Sequence, residues 1–260
     1  MSTLDVVAQA VTRAAAFLLL LGGGLTRGLV RPRQRSRLSE SVGKRVDVDG
    51  VGGAVVGEEN DVIERAAAEG VRLIISVDTG IRAFAAAETA RRLGVDLIVT
   101  DHHLPDEHGV PPALAVLNPN QAGCAYPCKA LCGAGVAFKL AQLLLEESGR
   151  ARLLPSFLKM VAIATIADAV PLVGENRVFA SLGLDGLRHP VNAGLKALLE
   201  VAALSARKLS ATDVAFRIAP RLNAAGRMDV AQDVIELFSV KDARRAQEIA
   251  ARLNQLNSDR

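Results

Sequence analysis

The segment Val95-Asp96-Leu97-Ile98-Val99-Thr100-Asp101-His102-His103 decides the fold of this 260-residue chain. Its first half is mostly apolar and has the length of a buried strand. One carboxylate and two adjacent imidazoles follow directly. In a parallel α/β sheet, ligands bind at the carboxyl ends of the strands, where the loops converge. Asp101, His102 and His103 are therefore candidate ligands of zinc, manganese or iron, and the alternative is a loop of solvated polar residues.

A second unit of the same kind precedes this segment. Leu73–Val77 is an apolar run that ends at Asp78. Residues 81–93 are predicted to form a helix, which Gly94 is well suited to end. A strand–helix–strand unit with parallel strands is right-handed almost without exception. Asp78 and Asp101 are thus both predicted at the carboxyl ends of strands.

The predicted fold class is α/β: a parallel sheet flanked by helices, then a helical half and the start of a connector helix. Residues 113–117 form a third predicted strand. Asp61 and Glu64 resemble a capping box. Four apolar residues of one helix are predicted to share a face: Val136, Leu140, Leu143 and Leu144. The other predicted helices cover residues 61–69, 133–147, 177–188, 192–204, 211–219, 227–238 and 241–257, and the chain is predicted to turn helical from Pro155 onward.

Further carboxylates occur at two other places. Asp47 and Asp49 alternate with valines, so both would lie on one face of a strand end and could share a cation; the alternative is an Asp-Gly turn. Asp168 follows the apolar run 159–167, where a carboxylate is costly unless it is paired or ligated. The alternative for Asp168 is a helix-end carboxylate that reaches solvent.

Together, these acidic groups favour a two-metal phosphoesterase. Two cations about 3.5–4 Å apart can clamp a phosphate and activate a water molecule. Carboxylates with one or two imidazoles favour manganese or magnesium over a metal bound by thiolates. Arg221, Asn223 and Arg227 surround a predicted small-residue turn, and an arginine can bind two phosphate oxygens at once.

Composition restricts the other possibilities. The net charge is only +3, but residues 26–45 hold seven basic residues and one acidic residue. This run either grips phosphate backbones or is a solvated arm. Three cysteines at four-residue spacing, Cys124, Cys128 and Cys132, argue against a disulfide framework and a structural zinc site. The apolar segment 14–25 is too short to span a bilayer, so we predict a cytoplasmic protein with no membrane partner.

Six segments share motifs with a known family: VDVDG (46–50), SVDTG (76–80), VTDHH (99–103), GAGVAFKLAQ (133–142), ATIADAVPLVGENR (164–177) and RIAPRLNAAGR (217–227). With them the chain resembles the DHH phosphoesterase family, and more narrowly its RecJ branch of single-stranded-DNA-specific exonucleases. The last two segments are typical of RecJ-like members. The resemblance runs from about Arg45 to Arg260.

The resemblance implies a role for each matching residue. It implies that one metal is bound by Asp49, Asp78, His102 and Asp168. The other metal is bound by Asp47 and Asp78, with Asp78 as the bridge. His103, and with it Asp101, would be catalytic near the scissile phosphate, and Arg227 would hold the 5′ phosphate.

The reaction implied is Mn²⁺- or Mg²⁺-dependent hydrolysis of single-stranded DNA from the 5′ end, in repair and recombination. The implied partners are single-stranded DNA and repair or replication proteins. One alternative is a DHH phosphatase or phosphodiesterase that acts on nanoRNA or small nucleotides. The other is a DHH scaffold that binds partners without catalysis.

Two departures from the family pattern bear on activity and domain organisation. Gly43 and Arg45 stand where the family has a histidine and its first aspartate, so one metal would lose a ligand. We therefore hypothesise weak activity or none. The predicted organisation is an atypical, poorly ordered segment over residues 1–42, a DHH catalytic domain over 43–240, and the start of a connector helix over 241–260, with the second domain absent.

Overall fold

The computed structural model describes residues 56–147, 149–224 and 231–259. These residues form two compact units that divide between Leu153 and Leu154. We call residues 56–153 the N-terminal unit and residues 154–259 the C-terminal unit. The predicted N-terminal segment over residues 1–42 lies outside the described part of the chain.

The N-terminal unit is built on a parallel sheet in the order β1-β2-β3, as predicted. The strands are β1 (Leu73–Val77), β2 (Asp96–Thr100) and β3 (Ala115–Leu117). The first strand has the predicted bounds, and the other two differ from prediction by one or two residues. The helices of this unit are α1 (Val56–Ala68), α2 (Phe84–Leu93) and α3 (Gly133–Glu147), followed by a 3₁₀ turn, Ala151–Leu153.

Small residues let the helices pack closely in this unit. Alanines of α2 and Ile63 of α1 pack with Val95, Leu97 and Val99 in one apolar cluster. Gly94 ends α2 in the left-handed conformation, with φ of 69°, as its position predicted. The cluster fixes β2, and therefore the residues that follow it.

The predicted starts of α1 and α2 were wrong. Helix α1 is described from Val56 onward, so Asp61 lies inside it and does not cap it. Helix α2 begins at Phe84 and not at Ile81. The backbone N–H of Ile81 donates instead to Asp101 Oδ2, in the segment between β1 and the helix.

The predicted apolar face of α3 was also wrong, although its bounds were correct. Leu143 is 48% exposed. The buried face is instead made mainly of small residues with one phenylalanine and one leucine toward its end: Gly133, Ala134, Gly135, Val136, Ala137, Phe138, Ala141 and Leu145. Small side chains allow the helix axis to come close to its neighbours, so they occupy the core side in place of the leucines.

The C-terminal unit is helical, as predicted. Its central helix, α4 (Leu154–Ala167), is buried almost all around its second half. Gly183 lies where a Cβ would collide with the carbonyl oxygen of Leu158, so α4 and the next helix cross closely. The other elements are α5 (Gly174–Gly186), α6 (Ala193–Val201), α7 (Ala211–Asp213), a π-helical turn (Val214–Ile218), α8 (Ala219–Ala224), α9 (Ala231–Ser239) and α10 (Ala243–Ser258).

The predicted turn over residues 220–227 was wrong in its first part, because Arg221 and Asn223 both lie on α8. Residues 225–227 lie outside the described part of the chain. Pro220 suggested a break in the helix, since proline has no N–H to donate. The π-helical turn ends at Ile218, just before this proline, and such turns change the hydrogen-bond pattern without ending a helix. The helical path therefore continues through Pro220 from Ala211 to Ala224.

Candidate metal centre

Two aspartates lie at the same edge of the sheet, directly after neighbouring strands, as predicted. Asp78 follows β1, and its N–H donates to Thr100 O at 2.8 Å. Asp101 follows β2, and its N–H donates to Leu117 O at 3.0 Å. Asp78 has a φ of 61°, a conformation that non-glycine residues seldom adopt. Both side chains are buried at the carboxyl ends of their strands.

Asp78, His102 and His103 form a candidate metal site. One ligand atom from each side chain lies within 4.8 Å of the other two. Asp78 Oδ1 and His102 Nε2 are 3.1 Å apart, and the two imidazole centroids are 4.5 Å apart. The side chain of Asp78 is buried, that of His102 is largely buried, and that of His103 is 47% exposed. The cluster therefore has a closed side at Asp78 and an open side at His103.

The environment of Asp78 fits a cation. Burial raises the pKa of Asp78, and the hydrogen bond and charge of His102 offset this only in part. A buried carboxylate whose charged form is disfavoured gains from a cation ligand. One carboxylate oxygen and two imidazole nitrogens are donors that suit Mn²⁺ and similar ions. The residues present thus fit a metal.

Asp101 has a different environment, although it lies at the same edge. Its Oδ1 accepts from the N–H groups of His102 at 2.7 Å and His103 at 3.2 Å, and from His103 Nδ1 at 2.7 Å. Its Oδ2 accepts from the N–H of Ile81 at 3.0 Å. Burial acts to raise the pKa of Asp101, but these hydrogen bonds outweigh it and leave the pKa below its ordinary value. Asp101 therefore stays ionised and sets the ring orientation and tautomer of His103.

Two asparagines missed by the sequence reasoning hold the carbonyl groups of the histidines. Asn118 Nδ2 donates to His103 O at 2.8 Å. Asn120 Nδ2 donates to His102 O at 2.7 Å. Both asparagines follow β3, so the rule that located the two aspartates places them at the same edge of the sheet, but it does not indicate that they contact the histidines.

The next carbonyl along the chain is also held. Arg82 Nε and Nη2 donate to Leu104 O at 3.1 and 3.0 Å. Arg82 was not predicted at the site, and its position after β1 is the only sequence signal for it. The backbone from His102 to Leu104 is therefore fixed by side chains on successive carbonyls.

The structure does not test the other predicted metal ligands. Asp47 and Asp49 lie outside the described residues. Asp168 belongs to the C-terminal unit and directly follows α4, with its N–H bonded to Ala164 O at 2.8 Å. Its side chain is partly buried, and its Oδ2 is shielded from solvent. The roles of these three aspartates stay predictions.

Two of the predicted phosphate-binding residues lie on α8, and Arg227 lies outside the described residues. Arg221 Nε donates to Asn254 Oδ1 at 2.9 Å, and its Nη1 donates to the backbone carbonyl of Arg217. Burial and the like charge of Arg217 lower the pKa of Arg221. Asn223 Oδ1 is shielded from solvent and has no hydrogen-bond partner among the described residues.

Among the residues that the structure describes, none of the helices has the length and apolar character needed to cross a bilayer.

Comparison with known proteins gives consistent matches. The sequence profile of the DHH family, N-terminal domain, matches residues 15–165 and so begins before the first recognised motif. The single-stranded-DNA-specific exonuclease RecJ of Bacillus subtilis is 46% identical over 191 residues, which are 74% of this chain and 24% of that protein. RecJ of Escherichia coli is 42% identical over 211 residues, 77% of this chain and 36% of that protein. The chain thus spans about a quarter to a third of the length of these relatives.

Solved structures agree with this result. A crystal structure of exonuclease RecJ bound to manganese has a TM-score of 0.70 and 28% identity, covering 97% of this chain and 66% of that one. RecJ from Thermus thermophilus in complex with Mn²⁺ has a TM-score of 0.69 and 30% identity, and the match covers 97% of this chain and 38% of the RecJ chain. As its motifs predicted, the chain belongs to the DHH family and is similar to the RecJ proteins within it.

Proposed function

We propose that this chain is the catalytic DHH domain of a RecJ-like exonuclease that hydrolyses single-stranded DNA from its 5′ end. The observation that carries the proposal is the cluster of Asp78, His102 and His103 at the carboxyl edge of the sheet. The relatives named as single-stranded-DNA-specific exonucleases, and the manganese-bound RecJ structures, support this choice of reaction and metal.

The metal is Mn²⁺ or Mg²⁺ in this proposal. Asp78 and His102 would hold it in the N-terminal unit, and Asp47, Asp49 and Asp168 remain the proposed further ligands. When bound, such ions neutralise phosphate charge and favour attack by water. The absence of a histidine and an aspartate at Gly43 and Arg45 underlies our hypothesis that activity is weak or absent.

His103 is the proposed residue at the scissile phosphate. Its side chain is the exposed member of the cluster, so a substrate can reach it. Asp101 accepts a hydrogen bond from His103 Nδ1, which places the lone pair of the neutral ring on Nε2. We therefore assign Asp101 a positioning role: it is enclosed by four N–H donors and acts through His103.

Arg221, Asn223 and Arg227 are the proposed contacts of the 5′ phosphate. Because Arg221 Nε and Nη1 donate within the C-terminal unit, the phosphate would be contacted through Nη2. Cytoplasmic location, repair and replication partners and the domain boundaries at residues 43 and 240 belong to the same proposal.

The test is degradation of single-stranded DNA labelled at its 3′ end, with Mn²⁺ present. His103→Ala should reduce the rate by about 100-fold or more. His108→Ala is the matched control, because His108 is an exposed histidine of the same unit whose side chain is 73% accessible. Equal rates for the two variants would remove His103 from the reaction. Faster cleavage of dinucleotides than of long strands would favour the small-substrate phosphodiesterase, and Mn²⁺ binding without any hydrolysis would favour the scaffold.

A further inference from the structure

We propose that Asn118 and Asn120 are positioning residues for His103 and His102, and we call the segment that carries them, residues 118–133, the frame. The inference rests on the proposed function, because it assigns the two asparagines a role in metal binding. It goes further in naming residues that touch neither the metal nor the substrate.

Each histidine peptide is held from both sides. The N–H groups of His102 and His103 donate to Asp101 Oδ1, while their carbonyls accept from Asn120 and Asn118. Because both peptide groups that flank each histidine are hydrogen-bonded, its backbone cannot rotate about φ or ψ without breaking one of these bonds. The direction of each Cα–Cβ bond, and hence of each imidazole, is fixed by this arrangement.

The two asparagines are themselves fixed as a pair. Asn118 Oδ1 accepts from the N–H of Asn120 at 2.7 Å, while its Nδ2 donates to His103. Each end of the Asn118 amide thus has one partner of the correct type, which sets its orientation. Asn118 is 3% exposed, so its bonds are shielded from competing water.

A lysine holds the turn that carries the asparagines. Lys129 Nζ donates to Pro119 O and to Cys124 O, at 2.7 Å each. Pro119 lies between the two asparagines, so this lysine closes the loop across residues 119–129. The frame is therefore tied together before it reaches α3.

The far end of the frame meets the third member of the cluster. Gly133 begins α3, and a Cβ built on it would lie within 2.6 Å of three side-chain atoms of Asp78. The backbone of the frame thus packs directly on the Asp78 carboxylate. One continuous segment contacts Asp78, His102 and His103, which explains how residues from two strand ends keep a common geometry.

Gln121 allows the positioning role to be separated from a general role in the turn. Its Nε2 donates to Val116 O at 2.9 Å, so it also ties this turn to the backbone, but not to a histidine. Asn120→Ala and Gln121→Ala each remove one such bond from adjacent positions. Only Asn120→Ala releases His102.

The experiment compares wild type, Asn120→Ala and Gln121→Ala by two readouts. The first is the Mn²⁺ dissociation constant by calorimetric titration. The second is the NMR resonances of the imidazole nitrogens in metal-free, ¹⁵N-labelled protein. Asn120→Ala should weaken Mn²⁺ binding by about 10- to 100-fold and shift the His102 resonances. Gln121→Ala should leave both unchanged and have the same melting temperature as Asn120→Ala.

Similar results for the two variants, in affinity and in resonances, would overturn the positioning role. If Asn120→Ala does not fold, Asn120→Asp keeps the size of the side chain and replaces the N–H donor by an acceptor. Its His102 resonances must then move, or the inference fails. A wild-type chain that does not bind Mn²⁺ refutes the proposed function, while the metal-free resonances still decide the role of Asn120.

Discussion

Gly133→Ala should damage the metal centre although Gly133 offers no side chain to it. Gly133 is the first residue of α3 and packs against the carboxylate of Asp78. Alanine is normally the better helix former by about 1 kcal/mol. On helix propensity alone the substitution would therefore be stabilising, and the opposite result is expected here.

The magnitude follows from the space available. Carbon atoms in contact are about 3.5–4.0 Å apart, whereas the added Cβ would be only 2.6 Å from the Cβ of Asp78 and closer to its carboxylate. Asp78 must therefore move by roughly 1 Å, which is comparable to a shift that costs about 100-fold in a precise site. Because Asp78 is buried and follows a strand directly, it cannot swing away freely. Overpacking of this kind costs about 1–3 kcal/mol of unfolding free energy.

The assay is Mn²⁺ titration together with urea denaturation of the metal-free protein. We expect Gly133→Ala to bind Mn²⁺ about 100-fold more weakly and to be less stable by about 1–3 kcal/mol. Gly135→Ala is the matched control: it lies on the same helix and is buried, and its Cβ would meet Leu131 Cδ2 at 3.3 Å, away from the aspartate. Equal Mn²⁺ affinities for the two variants would refute the reasoning.

Three further predictions concern the two aspartates and one helix crossing. Burial raises the pKa of Asp78, so its charged form lowers the stability of the folded protein. Asp78→Asn should therefore raise the melting temperature of the metal-free protein at pH 7, and this gain should fade as the pH falls through the raised pKa toward about 3.9. The same substitution should abolish Mn²⁺ binding. The pKa of Asp101 is lowered, so the ionised carboxylate stabilises the fold above about pH 3.9, and this effect is lost as the pH falls through the pKa of the folded state. Asp101→Asn should therefore lower the free energy of unfolding, measured by urea denaturation, by about 1–3 kcal/mol at pH 7 and by less at about pH 3. Gly183→Ala should destabilise the protein by about 1–3 kcal/mol, since its Cβ would collide with Ala162 and backbone. Gly186→Ala, which meets only a flexible lysine side chain at 3.2 Å, should be nearly neutral in the same denaturation experiment.

The sheet and part of the site could be predicted because their signals are local. A short, mostly apolar segment followed by a carboxylate marks both a buried strand and its functional end, and this holds for Val77-Asp78 and Thr100-Asp101. The adjacency of His102 and His103 to Asp78 then follows from parallel pairing of β1 with β2. The register of these two strands brings Asp78 and the Asp-His-His segment, which are separate in the sequence, together in one site.

The supporting contacts could not be predicted, because their signals are ambiguous in the sequence. Asparagines beside a proline are typical turn residues, and nothing local indicates that Asn118 and Asn120 reach back to the histidines. The sequence around Gly133 indicates only the start of a helix, whereas in the structure its lack of a side chain leaves room for the carboxylate of Asp78. Both cases depend on tertiary contacts. The wrong start of α1 has another cause, since Asp61 and Glu64 have the spacing of a capping box although both lie inside the helix.

The two buried aspartates of the site have different roles because their hydrogen-bond partners differ, although the residue type is the same. Asp78 and Asp101 follow adjacent parallel strands and are both at most 3% exposed, yet burial raises the pKa of Asp78 while the pKa of Asp101 is lowered. The difference lies in the donors. Asp101 faces four N–H groups that keep it charged and occupied, so it could take a cation only by breaking them. Asp78 has His102 as its partner and gains most from a positive charge. We therefore expect Asp101, the aspartate of the Asp-His-His motif, to orient the histidines, and Asp78, which follows the preceding strand, to bind the metal.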